Sequence, residues 1–132
     1  MRRSLLSAVA ALAALTLTGC GGSSLPWGLD PQLVGVWSQT DLSEDGVPAW
    51  FVRRTMTFRD DGTFRSDSAD GGWSTGGYRT RPGRLNYWID DSDDPANVGR
   101  EYTFDYTASA TTMTISGRYS GHYYVATFAR LP

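Results

Sequence analysis

Side chains able to do chemistry are few in this chain. It holds one histidine, His122, and one cysteine, Cys20. Neither a metal centre built on several imidazoles or thiolates nor a relay of two histidines can therefore form. No Gly-x-Ser-x-Gly elbow and no phosphate-cradling glycine loop occurs, and the serines gather in tether and turn positions. The chain is read as a non-enzyme that needs no cofactor. One acidic run invites a metal: Asp90, Ser92 and Asp94 take the first, third and fifth places of a calcium loop and Glu101 the twelfth. Pro95, however, stands where that loop's sharp turn requires glycine. The run is read as a solvated loop held open by mutual repulsion, and no metal site is expected. Arg79, Arg81 and Arg84 cluster around Pro82-Gly83. They could grip an anion at the rim of a site, but balancing the acidic loop is the simpler use.

Cys20 has a different setting. It closes Leu17-Thr18-Gly19-Cys20, behind Met1-Arg2-Arg3 and an apolar stretch from Leu5 to Leu17. That stretch has the length of a signal-peptide core and is too short to cross a bilayer as a helix. The four residues resemble the lipobox of bacterial lipoprotein precursors. The resemblance implies that residues 1–19 are a signal peptide to be removed, that Cys20 receives a diacylglycerol thioether, and that the new amino terminus is acylated, as with palmitate. Each buried acyl CH₂ is worth about 0.8 kcal/mol, so two or three chains hold a protein on a membrane essentially permanently. The expected address is the bacterial cell envelope. Gly21, where Asp would retain the protein in the inner membrane, implies the outer membrane in a Gram-negative cell. In a Gram-positive cell the anchor would sit on the outer face of the plasma membrane.

Removing 19 of the 132 residues leaves 113, room for one domain. Arg2 and Arg3 leave with the signal, so ten basic residues face fourteen acidic ones, a net charge of −4. That balance argues against a nucleic-acid partner or an anionic-lipid surface. Residues 20–29, with Gly21-Gly22-Ser23-Ser24, read as a lipidated flexible tether. Asp30-Pro31 then caps and starts one short helical turn over 31–33.

Beyond it the pattern is all-β, with runs of Thr, Tyr, Phe, Val and Trp cut at fairly even intervals by Gly, Asp and Pro. Eight strands are expected at 34–40, 49–59, 62–69, 72–80, 84–90, 99–107, 111–117 and 121–131. Asp60-Asp61-Gly62 and Pro82-Gly83 provide tight turns, so the strands run antiparallel. Alternation places Met56, Phe58, Phe64, Tyr102, Phe104, Tyr106, Met113, Ile115, Tyr124, Ala126 and Phe128 on one face. His122 falls out of phase with that set and is expected at the surface. A meander with one apolar face and no helix to cover it is stabilised by closing into an eight-stranded up-and-down barrel.

Leu33-Val34-Gly35-Val36-Trp37 resembles the Gly-x-Trp signature at the first strand of the lipocalin superfamily, in the short form of bacterial lipocalin-like domains. Met56-Thr57-Phe58 with Asp61-Gly62-Thr63-Phe64 is similar to the second hairpin of those domains, and Phe128-x-Arg130 to their closing strand. The resemblance makes residues 30–132 a lipocalin-like β-barrel domain. It implies that Trp37 seals one end with Arg130 lying across it, and that Gly35 belongs to this closure. A barrel this short encloses either a filled interior or one small ligand. The chain has seventeen aromatics (5 Trp, 7 Tyr, 5 Phe), enough to plug such a lumen.

Two functional classes remain. In the first, a membrane-anchored envelope lipoprotein binds a small hydrophobic ligand at an open barrel end framed by Tyr78, Tyr87, Trp88 and Tyr102. In the second, a filled barrel serves as a protein-interaction or inhibitor module, with 41–49 and 90–98 as candidate functional loops and a protein partner of unknown identity.

Overall fold

The computed structural model describes residues 26–132. Cys20, residues 1–19 and the glycine-serine part of the tether lie outside the described residues. The described chain forms nine strands: β1 Gly35–Glu44, β2 Val47–Pro48, β3 Arg54–Phe58, β4 Thr63–Ser68, β5 Trp73–Arg81, β6 Arg84–Ser92, β7 Glu101–Ala108, β8 Thr112–Tyr119 and β9 His122–Arg130. All pairings are antiparallel. β1 pairs with β9 from Trp37 opposite Arg130 to Glu44 opposite Tyr124, which closes eight strands into an up-and-down barrel. β2 is a two-residue flap on the far end of β1. Closure pairs the strand edges that an open meander would expose.

The inward set behaves as its alternation requires. Met56, Phe58, Phe64, Tyr106, Met113, Ile115 and Phe128 are buried, joined by Leu33, Trp37, Tyr78, Leu85 and Ile89, with Tyr102, Phe104 and Ala126 packed against them. The fully buried bulk, Trp37, Phe58, Phe64, Tyr78, Leu85 and Met113, lies toward the end where β1 begins and β9 finishes. One end of the barrel is solid, and the other is not.

Several boundaries differ from the sequence expectation. β1 runs four residues past 40, so Asp41 to Glu44 belong to a strand bonded to β9 and not to a free loop 41–49. A bulge at Thr40 bends it between Gln39 and Asp41. Polar residues mask this stretch because both of its faces are wet near the barrel mouth. The turn that follows, Asp45-Gly46, has φ of 51° and 83°, the doubly positive pattern of a tight hairpin. Trp50, Phe51 and Val52 have strand-forming side chains yet stand outside the ladder, and β3 begins only at Arg54. β6 extends to Ser92, and Pro95–Asn97 forms a 3₁₀ turn capped by the Asp94 side chain, which shortens the expected loop 90–98. The acidic run is flanked by strands, and Asp93 accepts from the Trp73 N–H.

The chain is held earlier than residue 30. Gly28 exchanges two backbone hydrogen bonds with Thr80, and Trp27 lies under Arg81 and Arg79, whose guanidinium carbons are 4.3 and 4.7 Å from its ring centre. Residues 26–29 are therefore part of the barrel's closed end and not tether. Asp30 then accepts from the Gln32 N–H and, at 2.7 Å, from the Tyr106 hydroxyl, fixing the turn at 31–33 across the end of the barrel.

Candidate functional site

The closed end is built from three residues that the sequence singled out together. Trp37 is fully buried, and its Nε1 donates to the Leu33 carbonyl at 2.9 Å. The Arg130 guanidinium lies 4.2 Å above its ring. Its nitrogens also donate to the carbonyls of Ala110 at 2.8 Å, Val34 at 2.7 Å and Gln32. Cation–π contacts of this kind are worth about 0.5–2 kcal/mol. Gly35 has φ of 146°, and any side-chain carbon there would collide with Arg130. The closure is a structural lock.

At the opposite end the barrel opens into two adjoining lobes of about 380 and 340 Å³. Both are lined by Arg54, Met56, Tyr87, Phe104 and Tyr124. The first adds Phe64, Tyr102, Tyr119, Ser66, Ser74 and Arg100, and the second adds Leu42, Val52, Ile115 and Ala126. These volumes fall at the lower end of what small-molecule sites occupy. Aromatic rings make the floor: Tyr87 meets Phe64 edge-on at 5.1 Å and Tyr102 at 5.2 Å, and Tyr102 stacks on Phe104 at 5.9 Å. Burial holds the Tyr87 hydroxyl well above the ordinary phenol range, with nearby Arg54 pulling the other way. It titrates far above physiological pH and stays a neutral donor.

Of the four residues expected to frame the open end, Tyr87 and Tyr102 do so. Tyr78 sits opposite Tyr87 in the β5–β6 ladder but leans to the closed end, its ring 4.9 Å from Phe58 and its hydroxyl donating to the Arg59 carbonyl at 2.6 Å. Burial, reinforced by Asp60, Asp61 and Asp30, pushes that hydroxyl up to about 12. Trp88 points outward, its indole lying over Gly77 where a side chain would leave no room. It lines neither lobe because Leu85, Tyr87 and Ile89 own the inward phase of β6. The arginine cluster is not at the mouth either. Arg79 and Arg81 flank Trp27 at the closed end, and Arg84 pairs with Asp105 at 3.4 Å, away from the acidic run.

Sequence reasoning passed over Arg54, Arg100 and Tyr119. Their signal was phase: Arg54 continues the inward series of Met56 and Phe58, and Arg100 that of Tyr102 and Phe104. Among the described residues, Glu44, Asp45 and His122 are the group that could hold a metal ion. His122 and Asp45 are half-exposed and already bonded to each other at 2.8 Å, and Asp45 also accepts from the Tyr123 N–H. The trio is a clasp between two hairpin tips. His122 lies at the surface, at the start of β9.

No protein-family profile and no curated protein matches the chain. Among solved structures, a lipocalin-like protein from Bacteroides uniformis is similar, with a TM-score of 0.56 and 18% identity over 76% of this chain and 99% of that one. At that identity the likeness speaks for the fold. The barrel is lipocalin-like.

Proposed function

We propose that this protein is a non-catalytic, ligand-binding lipoprotein of the bacterial envelope, tethered through Cys20 and holding one small, largely apolar molecule in the mouth of its barrel. The observation that carries the reading is the asymmetry of the lumen. One end is packed solid behind Trp37 and Arg130, and the other opens into an aromatic-floored cavity. A filled interaction module would need its interior packed throughout, and its candidate loops are shortened, 41–44 belonging to β1 and 90–92 to β6. The residues Leu17 to Cys20 support the anchor. Trp27 and Gly28 fasten the chain to the closed end, so a tether from Cys20 would reach the barrel at the end opposite the mouth.

Both halves are tested with one variant of the full chain. Cys20→Ser is expected to move the protein from the membrane to the soluble fraction, and unchanged membrane retention would sink the anchor. The released protein is then titrated with N-phenyl-1-naphthylamine, a neutral apolar fluorophore. Saturable binding of one equivalent, weakened at least about tenfold when Ser66→Leu fills the mouth, is expected. Binding that Ser66→Leu leaves untouched would contradict the site.

A further inference from the structure

The ionic character of the mouth runs against the rest of the protein. Beyond residue 19 the chain carries net charge −4, yet no Asp or Glu lines either lobe, while two arginines do. Arg54 opens β3 and Arg100 immediately precedes β7, four strands apart in a ring of eight, so they stand on opposite walls of the opening. Neither meets a carboxylate among the described residues. Arg54 reaches only the Ser66 hydroxyl, at 3.4 Å, and Arg100 the Ala96 carbonyl at 3.2 Å and the Tyr119 hydroxyl at 3.3 Å. Arg65 and Arg84, on the outer wall, do find acids in Asp67 and Asp105. The Tyr87 side chain lines the same space.

Resting on the reading that the mouth takes a small molecule, we propose that its ligand is an anionic amphiphile. The apolar body lies on Phe64, Tyr87 and Phe104, and a carboxylate or phosphate head is held between Arg54 and Arg100. Guanidinium groups offer planar, charge-assisted donors that suit either head. A cationic ligand would meet two like charges with no acid lining either lobe, and a neutral one would leave both arginines as they are. The inward phase of Arg54 and Arg100 is what distinguishes them from arginines that merely solubilise a surface.

The test uses the full chain carrying Cys20→Ser and competition against N-phenyl-1-naphthylamine by four twelve-carbon probes: dodecanoate, monododecyl phosphate, dodecanol and dodecyltrimethylammonium. At least one of the two anions is expected to compete about tenfold better than dodecanol, with the cation weakest. Which anion leads tells whether the head is a carboxylate or a phosphate. In an Arg54→Gln, Arg100→Gln double variant, with each probe scored against that variant's own affinity for the fluorophore, the anions should fall to the level of dodecanol. Equal competition by anions and alcohol in the parent chain overturns the inference, as does an anion preference that survives the double substitution. Should the neutral fluorophore itself fail to bind, the cavity reading falls first, and that outcome is distinct from a cavity that binds without regard to charge.

Discussion

Arg130 shows how one side chain can serve several purposes at a barrel's closed end. Its guanidinium caps the Trp37 ring and donates to three backbone carbonyls from two separate segments, 32–34 and 110. Gly35 makes the approach feasible. Gly35→Ala adds a carbon that collides with Arg130 at a backbone angle side chains avoid, so it is expected to cost about 1–3 kcal/mol in chemical denaturation. A second residue-scale device is pH-dependent. The hydrogen bond to Asp45, followed by the charges of Asp45 and Glu44, raises the His122 pKa above its ordinary value. A raised folded-state pKa means that its contribution is fully present below the unfolded value near 6.5 and is lost as pH climbs through the folded one. The Tm difference between the parent chain and His122→Gln should therefore be larger at pH 5.5 than at pH 8.5. A gap independent of pH would show that the clasp is not ionic. Both groups are exposed, and the effect is a local one.

Among the elements, strand faces were legible in the sequence and strand ends were not. Alternation identified the inward residues of β3, β4, β7, β8 and β9 because one face of each meets the core. It failed for the second half of β1, where Thr40, Asp41, Ser43 and Glu44 stand at the wet mouth and no buried face imposes a period. It failed in the other direction at Trp50 to Val52, whose bulky side chains mimic a strand in a segment that makes no ladder. Phase also explains the site. Tyr102 was legible because it alternates with Phe104 and Tyr106, whereas Tyr87 and Trp88 are neighbours on one strand and only parity tells the inward one from the outward one. The direction in which a ring leans along the barrel is a separate coordinate, invisible to alternation, and it separates Tyr78 from Tyr87, which share one rung. The N-terminal segment is the element whose attachment was least legible, since Trp27 and Gly28 lie in what reads as linker. Trp27→Ala should speed amide exchange at Gly28 and Thr80 while leaving Met113 and Phe128 protected. Unchanged protection at Gly28 would mean that the two backbone bonds hold the segment without the indole.

For the whole molecule, the lumen divides into a packed half and an open half, and that division follows from the taper of the inward residues. Large rings fill the layers near Trp37. Toward the mouth, Ser66, Ser74 and Gly117 take inward positions and leave space. The same division gives the barrel a polarity, with the N-terminal segment fastened to the solid end and the cavity at the other. The exposed apolar residues Val47, Trp50, Val98, Tyr119 and Tyr123 belong to the turns and strand ends at the open side. An apolar rim around an aromatic floor suits the entry of a molecule that water disfavours. The most direct measurement is a native mass spectrum of the full chain carrying Cys20→Ser, beside a denaturing spectrum. A bound molecule of one defined mass, or uptake of one added dodecanoate, that disappears on denaturation is the predicted result. A bare chain in both spectra, even with excess dodecanoate and dodecanol present, would contradict a ligand-binding mouth.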